Sequence, residues 1–129
     1  MNKVTSNNYP KIIEEVGNGS YLYHFDIEKV SNNNNTIVHS ENNTENIKSY
    51  EYNEVVIWSP ISSNAITKAV MNYLWSKDAE QKYINDYNSA VLGILDNSYI
   101  ETYKTFIEQR KLIKEQIDKD YDNYIKNIQ

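Results

Sequence analysis

Few residues in this sequence have types and spacings that could support chemistry, and a histidine is the first of them. His24 stands two positions before Asp26 in a segment that alternates polar and apolar residues. A His-x-Asp pair can bind a metal ion or act as a base, but a metal site needs a third and a fourth ligand, and nothing in the sequence marks them. We therefore interpret His24 as structural or solvated, and His39, in an Asn-rich loop, as exposed.

The acidic residues also lack the spacing of a known site. Glu14 and Glu15 point to opposite faces of a strand, which suits a solvated edge better than an acid/base pair. The run from Asp118 to Asp122 has the acids of a Ca²⁺ loop but lacks its glycine and its final glutamate, and it lies in a helical pattern. With three glycines and no cysteine in the chain, no phosphate-binding loop or thiolate site is expected. The sequence predicts no catalytic residue, no metal site and no cofactor.

Composition restricts the class of protein further. The 129 residues carry 13 basic and 18 acidic side chains, a net charge of -5, which argues against a groove for nucleic acid. The segment Met1–Asn8 lacks the apolar core of a signal peptide, and no apolar run is long enough for a membrane span. We expect a protein without a nucleic-acid, membrane or small-molecule substrate partner.

Tyrosine occurs 12 times against two phenylalanines, which fits either genomic bias or a Tyr-rich recognition surface.

The first half of the chain has the pattern of β structure. Asn18-Gly19 is a strong hairpin signal, because both residues tolerate positive φ. The following strand should place Tyr21, Tyr23, Phe25 and Ile27 on one face, and Leu22, His24, Asp26 and Glu28 on the other. The last strand should place Tyr50, Tyr52, Val56 and Trp58 on one face. The predicted strands are Lys11–Val16, Tyr21–Val30, a brief Thr36–His39 and about Lys48–Trp58, the last ended by Pro60.

The second half is helical. Ser62 or Ser63 can cap a first helix, and Asp78 to Gln81 have the form of a capping box for a second. The second helix should have one apolar stripe, formed by Tyr83, Ile84, Tyr87, Val91, Ile94 and Leu95. Asp96 to Ser98 interrupt it, where Asn97 can take a left-handed conformation and Ser98 can cap the next helix. A last helix of roughly 28 residues and about 42 Å should then run from about Tyr99 to about Lys126.

One stripe of this last helix is close to a heptad repeat. It is formed by Tyr99, Tyr103, Phe106, Arg110, Ile113, Ile117, Tyr121, Tyr124 and Ile128. In one interpretation the stripe packs on the sheet and the earlier helices. In the other, the half beyond about Lys114 projects and pairs with another chain, because strands of about 20–35 Å are shorter than the helix. These nine residues are the predicted interface, and Trp58 and Trp75 are either further anchors or core residues.

Together these patterns predict an α+β fold, with a small N-terminal antiparallel β-meander followed by three helices, the last long and amphipathic. Residues 1–60 should form the meander with Asn-rich loops. Residues 61–129 should form a helical region that packs on the sheet in one compact domain, its distal helix projecting in the second interpretation.

A resemblance to a known group rests on the segment from Asp78 to Asp120. Its INDYNSAVLGI core and the spacing Tyr-x-x-Phe-x-x-x-Arg-x-x-x-Lys, here Tyr103 to Lys114, look like small proteins of tailed phages and prophages of Bacteroidota. The strands YxYxFDIEKV and YEYNEVVIWSP are similar too, so the resemblance covers roughly residues 20–121. It implies a virion component of the head, tail or fibres, and it implies no active site.

Three hypotheses follow for function. The first is a non-enzymatic structural protein of a phage particle, made in the host cytoplasm, that binds other virion proteins or copies of itself. The second is a non-virion accessory protein, such as an assembly chaperone or a host-protein-binding factor. The third is an enzyme with a polar pocket around His24, which we consider improbable.

Overall fold

The structure, a computed structural model, describes residues 3–31 and 47–128. The chain divides into two compact units, Met1–Ser59 and Pro60–Gln129. The first unit holds a four-stranded antiparallel sheet and the second holds three helices, the last one long, so the predicted α+β class is confirmed. The elements are β1 (Val4–Ser6), β2 (Ile13–Glu15), β3 (Ser20–Ser31), β4 (Ile47–Trp58), α1 (Ser63–Leu74), α2 (Lys77–Val91) and α3 (Ser98–Ile128).

The sheet has the strand order β1-β4-β3-β2, with every neighbouring pair antiparallel. The two 12-residue strands β3 and β4 lie at its centre, and three-residue strands flank them. Directly opposite residues share a face, so Tyr23 pairs with Val55 on one side and His24 with Glu54 on the other. The buried apolar side chains of the strands are Ile13, Tyr23, Tyr52, Val55 and Ile57.

The turn between β2 and β3 forms where the Asn-Gly signal predicts it. Gly17 and Gly19 have φ of 99° and 90°, values that residues with a Cβ rarely adopt, and the Val16 amide donates to the Ser20 carbonyl to close the turn. The predicted strand Lys11–Val16 is longer than the observed β2. The backbone groups at the two ends of the predicted strand have other hydrogen-bond partners. The Val16 amide donates within the turn, and the Lys11 carbonyl oxygen contacts the His24 ring.

Two further strand predictions differ from the structure or lie outside it. The strand β1 was not predicted, because three residues carry too little alternation, and its pairing with Tyr50 to Tyr52 of β4 is a long-range contact. The brief strand predicted over Thr36–His39, and His39 itself, lie outside the described residues.

The helix starts follow the sequence only in part. The Ser62 side chain accepts from the Ala65 amide and caps α1, as predicted. The cap of α2 is Ser76, whose side chain accepts from the Ala79 amide, so the capping box predicted at Asp78 is wrong and Asp78 lies in the first turn. Serine at N-cap leaves an acid inside the first turn, where it complements the helix dipole.

The start of α3 also differs from the prediction. The Asp96 side chain accepts from the Ser98 amide, and the Asn97 carbonyl accepts from the Ile100 amide, so Asp96 does the capping that was predicted for Ser98. The left-handed residue in this connection is Gly93, with φ of 84°, rather than Asn97. Among the described residues, no helix contains an apolar stretch of the length that crossing a membrane requires.

The helix α3 is long because α1 and α2 pack on it one after the other. At 1.5 Å per residue its 31 residues span about 46 Å, and α1 and α2 span about 18 and 22 Å. The Phe106 ring of α3 contacts both Trp75, which ends α1, and Tyr83 of α2, so it lies where the two shorter helices meet. The length of α3 is therefore matched within the helical unit.

Candidate interaction surface

The imidazole of His24 is buried in the sheet, with 2% of the residue exposed. Its Nδ1 lies 2.6 Å from the Lys11 carbonyl oxygen and its Nε2 lies 2.9 Å from a Glu54 carboxylate oxygen, while Tyr52 packs against it edge-on at 4.7 Å. The two ring nitrogens are thus both within hydrogen-bond distance of protein oxygens, one from the backbone and one from a side chain. Because both nitrogens have partners within the protein, the ring joins the start of β2 to β4 across β3.

The His-x-Asp spacing of His24 and Asp26 does not bring the two side chains together as a pair. Asp26 has φ of 54° and lies in a β-bulge between Phe25 and Glu28, which ends the simple alternation of β3. Asp26 is exposed, and Glu54 on the neighbouring strand supplies the carboxylate that His24 contacts. His24 is thus structural rather than solvated. Within the described part of the chain, no group of three or more His, Asp or Glu side chains is arranged to hold a metal ion.

A series of aromatic rings joins α2 to α3. Tyr83 stacks on Phe106 with ring centroids 4.2 Å apart, and Tyr87 stacks on Tyr103 at 4.6 Å, one turn nearer the α2–α3 connection. At the other end the Arg110 guanidinium lies 5.2 Å from the Phe106 ring centroid and forms an ion pair with Glu80 of α2. These contacts place the first half of the predicted stripe inside the α2–α3 seam.

The distal half of the stripe packs on the start of α1 as far as Tyr121. Ile117 is 1% exposed, Asp118 accepts a hydrogen bond from the Ser63 hydroxyl, and the Tyr121 hydroxyl lies 3.4 Å from the Ile61 carbonyl. As far as Tyr121 this segment therefore packs within the helical unit, because α1 and α2 together match most of the length of α3. Its pairing with another chain stays a prediction.

The nine predicted interface residues consequently divide by burial. Two are buried, Phe106 and Ile117; five are partly exposed, Tyr103, Arg110, Ile113, Tyr121 and Tyr124; and two are exposed, Tyr99 and Ile128. A buried side chain offers no surface to a partner in this conformation, so the interface stays a prediction for the exposed members. Trp75 packs edge-on against Phe106, whereas Trp58 at the end of β4 is exposed.

The clearest exposed apolar surface lies at the connection between α2 and α3. Val91, Leu92 and Ile94 are 58%, 75% and 74% exposed. We call these three residues the apolar tip. Scattered exposed apolar side chains are ordinary on a protein surface, but three large aliphatic residues within four positions of one turn form a contiguous patch.

Backbone geometry explains why the apolar tip is exposed. The Ile94 amide donates to the Ser89 carbonyl at 2.9 Å and the Gly93 amide to the Ala90 carbonyl at 3.0 Å, the hydrogen-bond pattern of a Schellman motif with Gly93 in the left-handed conformation. In such motifs the residue after the glycine usually packs on the third residue from the helix end. Here that residue is Ser89, which offers little apolar surface, and Ile94 stays exposed.

Sequence reasoning placed Val91 and Ile94 on one stripe of α2 and extended the helical period past Gly93. The helix ends at Val91, so Ile94 lies outside it, and both side chains are more than half exposed. The signal was present, since a glycine directly after the last periodic residues marks a helix C-terminus. Ile84, another predicted member of the stripe, is also more than a third exposed.

An acidic group flanks the apolar tip. Hydrogen bonds from the side chain and the backbone amide of Ser98 lower the pKa of Asp96, two residues beyond Ile94, so Asp96 is a carboxylate at neutral pH. An apolar patch with a charged border is the arrangement typical of a protein-binding surface.

Comparison of the chain with protein-family models, curated proteins and solved structures found no match.

Proposed function

We propose that this chain is a non-enzymatic structural protein of a tailed-phage particle, a head, tail or fibre component that acts through protein–protein interfaces. The observation that carries the binding role is the apolar tip, which exposes Val91, Leu92 and Ile94 at the end of the α2–α3 hairpin. The phage setting rests on the resemblance of residues 20–121 to small proteins of Bacteroidota phages. The partners are other virion proteins or further copies of the chain.

The helical hairpin suits the apolar tip for docking. Stacked rings hold α2 against α3 one turn away, at Tyr87 and Tyr103, and the Schellman motif fixes the connection itself. A preorganised apolar projection loses little conformational entropy when it enters a cleft on a partner. Aliphatic side chains buried at the centre of an interface each contribute about 1.5–3 kcal/mol of transfer free energy.

The proposal is tested by mass spectrometry of purified particles from the host that carries this gene. A reproducible copy number relative to the capsid protein supports a virion component. Expression in infected cells together with absence from particles would overturn the virion role and would favour the non-virion accessory protein.

A pair of leucine variants then tests the apolar tip. Leu92→Asp places a charge in the apolar tip, whereas Leu112→Asp changes an α3 leucine of similar exposure, 65% against 75%, outside it. We expect Leu92→Asp to reduce incorporation into particles at least about tenfold, the loss of about 1.4 kcal/mol of binding, and Leu112→Asp to leave it unchanged. Equal incorporation of the two variants would exclude the apolar tip as the docking element.

A further inference from the structure

A pocket of about 310 Å³ lies between α2 and α3, separate from the apolar tip. Its lining residues are Ala79, Lys82, Tyr83, Asp86, Tyr99 and Thr102. The volume is at the lower end of the range for small-molecule sites and about twice that of a cavity that holds benzene. It is therefore large enough for a bicyclic ring.

The walls of the pocket are suited to an aromatic ring. Phe106 covers the Tyr83 ring with the planes 13° apart, so Tyr83 ends a stacked series at the pocket, and Tyr99 lines it from α3. The Thr102 hydroxyl donates to the Ser98 carbonyl of its own helix, which occupies its polar group. A ring seated here would extend the series of offset stacks within the α2–α3 hairpin.

The rim of the pocket carries one ion pair. The Lys82 ammonium lies 2.8 Å from an Asp86 carboxylate oxygen, and the hydrogen bond from this ammonium is the main cause that raises the pKa of Lys82. The Asp86 side chain is 27% exposed, whereas the Lys82 side chain is 73% exposed. An ammonium has three N–H donors, so Lys82 has donors left for a ligand after it binds Asp86.

From this geometry we infer that the α2–α3 pocket binds a small planar aromatic compound that carries a carboxylate, with its ring between Tyr83 and Tyr99 and its carboxylate on Lys82. The pocket is sized for one such compound. This inference goes beyond the proposed structural role and does not depend on it, because the apolar tip shares no residue with the pocket.

The test uses the full chain labelled with ¹⁵N and titrated with indole-3-acetate, followed by amide chemical shifts. We expect saturable shifts centred on Tyr83, Tyr99 and Thr102, with a Kd of about 1 mM or below for a ligand of this size. Tryptamine, which has the same ring and a cationic side chain, should bind more weakly than indole-3-acetate. Tryptamine binding that equals or exceeds indole-3-acetate binding would overturn the assignment of the carboxylate to Lys82.

Matched lysine variants locate the charge contact. Lys82→Gln should weaken indole-3-acetate about 2- to 10-fold, the effect of one lost hydrogen bond, whereas Lys104→Gln, an exposed lysine outside the pocket lining, should not. Tyr99→Ala removes one aromatic wall and should weaken both probes. Shifts that do not saturate by about 10 mM probe, or equal effects of the two lysine variants, would overturn the proposal.

Discussion

At the scale of single residues, a polar contact joins the start of α1 to the distal half of α3. The Ser63 hydroxyl donates to the Asp118 carboxylate, and the Lys114 ammonium lies 3.3 Å from the same carboxylate, one turn earlier on α3. The hydrogen bond from Ser63 is the main cause that lowers the pKa of Asp118, and Lys114 adds to it. The charged form of Asp118 is thus the form that the folded state favours.

We predict that acid destabilises the helical unit in part through Asp118. Because the folded state lowers the pKa of Asp118 below its ordinary value of 3.8, the unfolded chain binds the proton more readily. The stabilisation that charged Asp118 contributes is therefore complete above pH 3.8, and it is lost as the pH falls through the lowered pKa of the folded state. Ser63→Ala removes the main cause of the lowered Asp118 pKa. The melting temperature of this variant, measured by circular dichroism, should therefore fall less between neutral pH and about pH 3 than that of the unmodified chain.

The control for this variant is Thr105→Ala, an exposed hydroxyl residue of the same long helix. Its melting temperature should fall on acidification by as much as that of the unmodified chain. If Ser63→Ala and Thr105→Ala lost the same melting temperature on acidification, Asp118 would not be coupled to Ser63 in folding.

At the scale of elements, α3 holds the helical unit together because both shorter helices pack on it. Ile117 is 1% exposed on the part of α3 that faces α1, whereas Ile128, in the same predicted stripe, is 62% exposed. Two isoleucines of one stripe therefore have very different environments. The difference arises because α1 begins opposite Asp118 and Tyr121, which follow Ile117 by one and four residues.

This contrast predicts different effects of the same substitution. Ile117→Ala should lower the free energy of unfolding by about 2–4 kcal/mol, because it removes buried methyl groups and leaves a cavity. Ile128→Ala should stay within about 0.5 kcal/mol. Urea unfolding of the full chain, followed by helical circular dichroism, measures both. Equal losses would mean that the two residues share one environment, as they would in a helix that projects into a coiled coil.

Local signals predicted much of the fold, and long-range contacts decided the rest. The Asn18-Gly19 turn and the serine cap of α1 are local, and both predictions hold in the structure. The bulge at Asp26 and the short strand β1 depend on pairing with β4, which no local pattern reveals. The alternation therefore placed His24 on the same face as Asp26 but could not identify Glu54 as its partner.

The site was harder to predict than the fold. A heptad-like stripe indicates a seam but does not say whether the partner is another chain or the same chain, and the buried Ile117 packs within its own unit. The apolar tip depends on where α2 ends, because the predicted stripe continued to Leu95 whereas the helix ends at Val91, before the left-handed Gly93. Helix ends are the least certain part of any sequence-based assignment.

At the scale of the whole molecule, net charge opposes association between chains through apolar surface. The chain carries a net charge of -5 at pH 7 and has a pI of about 5.0. Like-charged copies repel one another at neutral pH, and this repulsion disappears near the pI. The apolar tip then provides the attraction that remains.

We therefore predict that the average mass in solution rises as the pH falls from neutral toward 5.0. The reason is that apolar burial is insensitive to pH whereas charge repulsion is not. Ile94→Ser should reduce this rise, because Ile94 is 74% exposed in the apolar tip. Ile128→Ser, at 62% exposure in α3, is the matched control and should preserve it. Sedimentation velocity across this pH range measures the average mass of both variants. If Ile128→Ser suppressed the rise in mass and Ile94→Ser did not, self-association would be assigned to the α3 stripe instead.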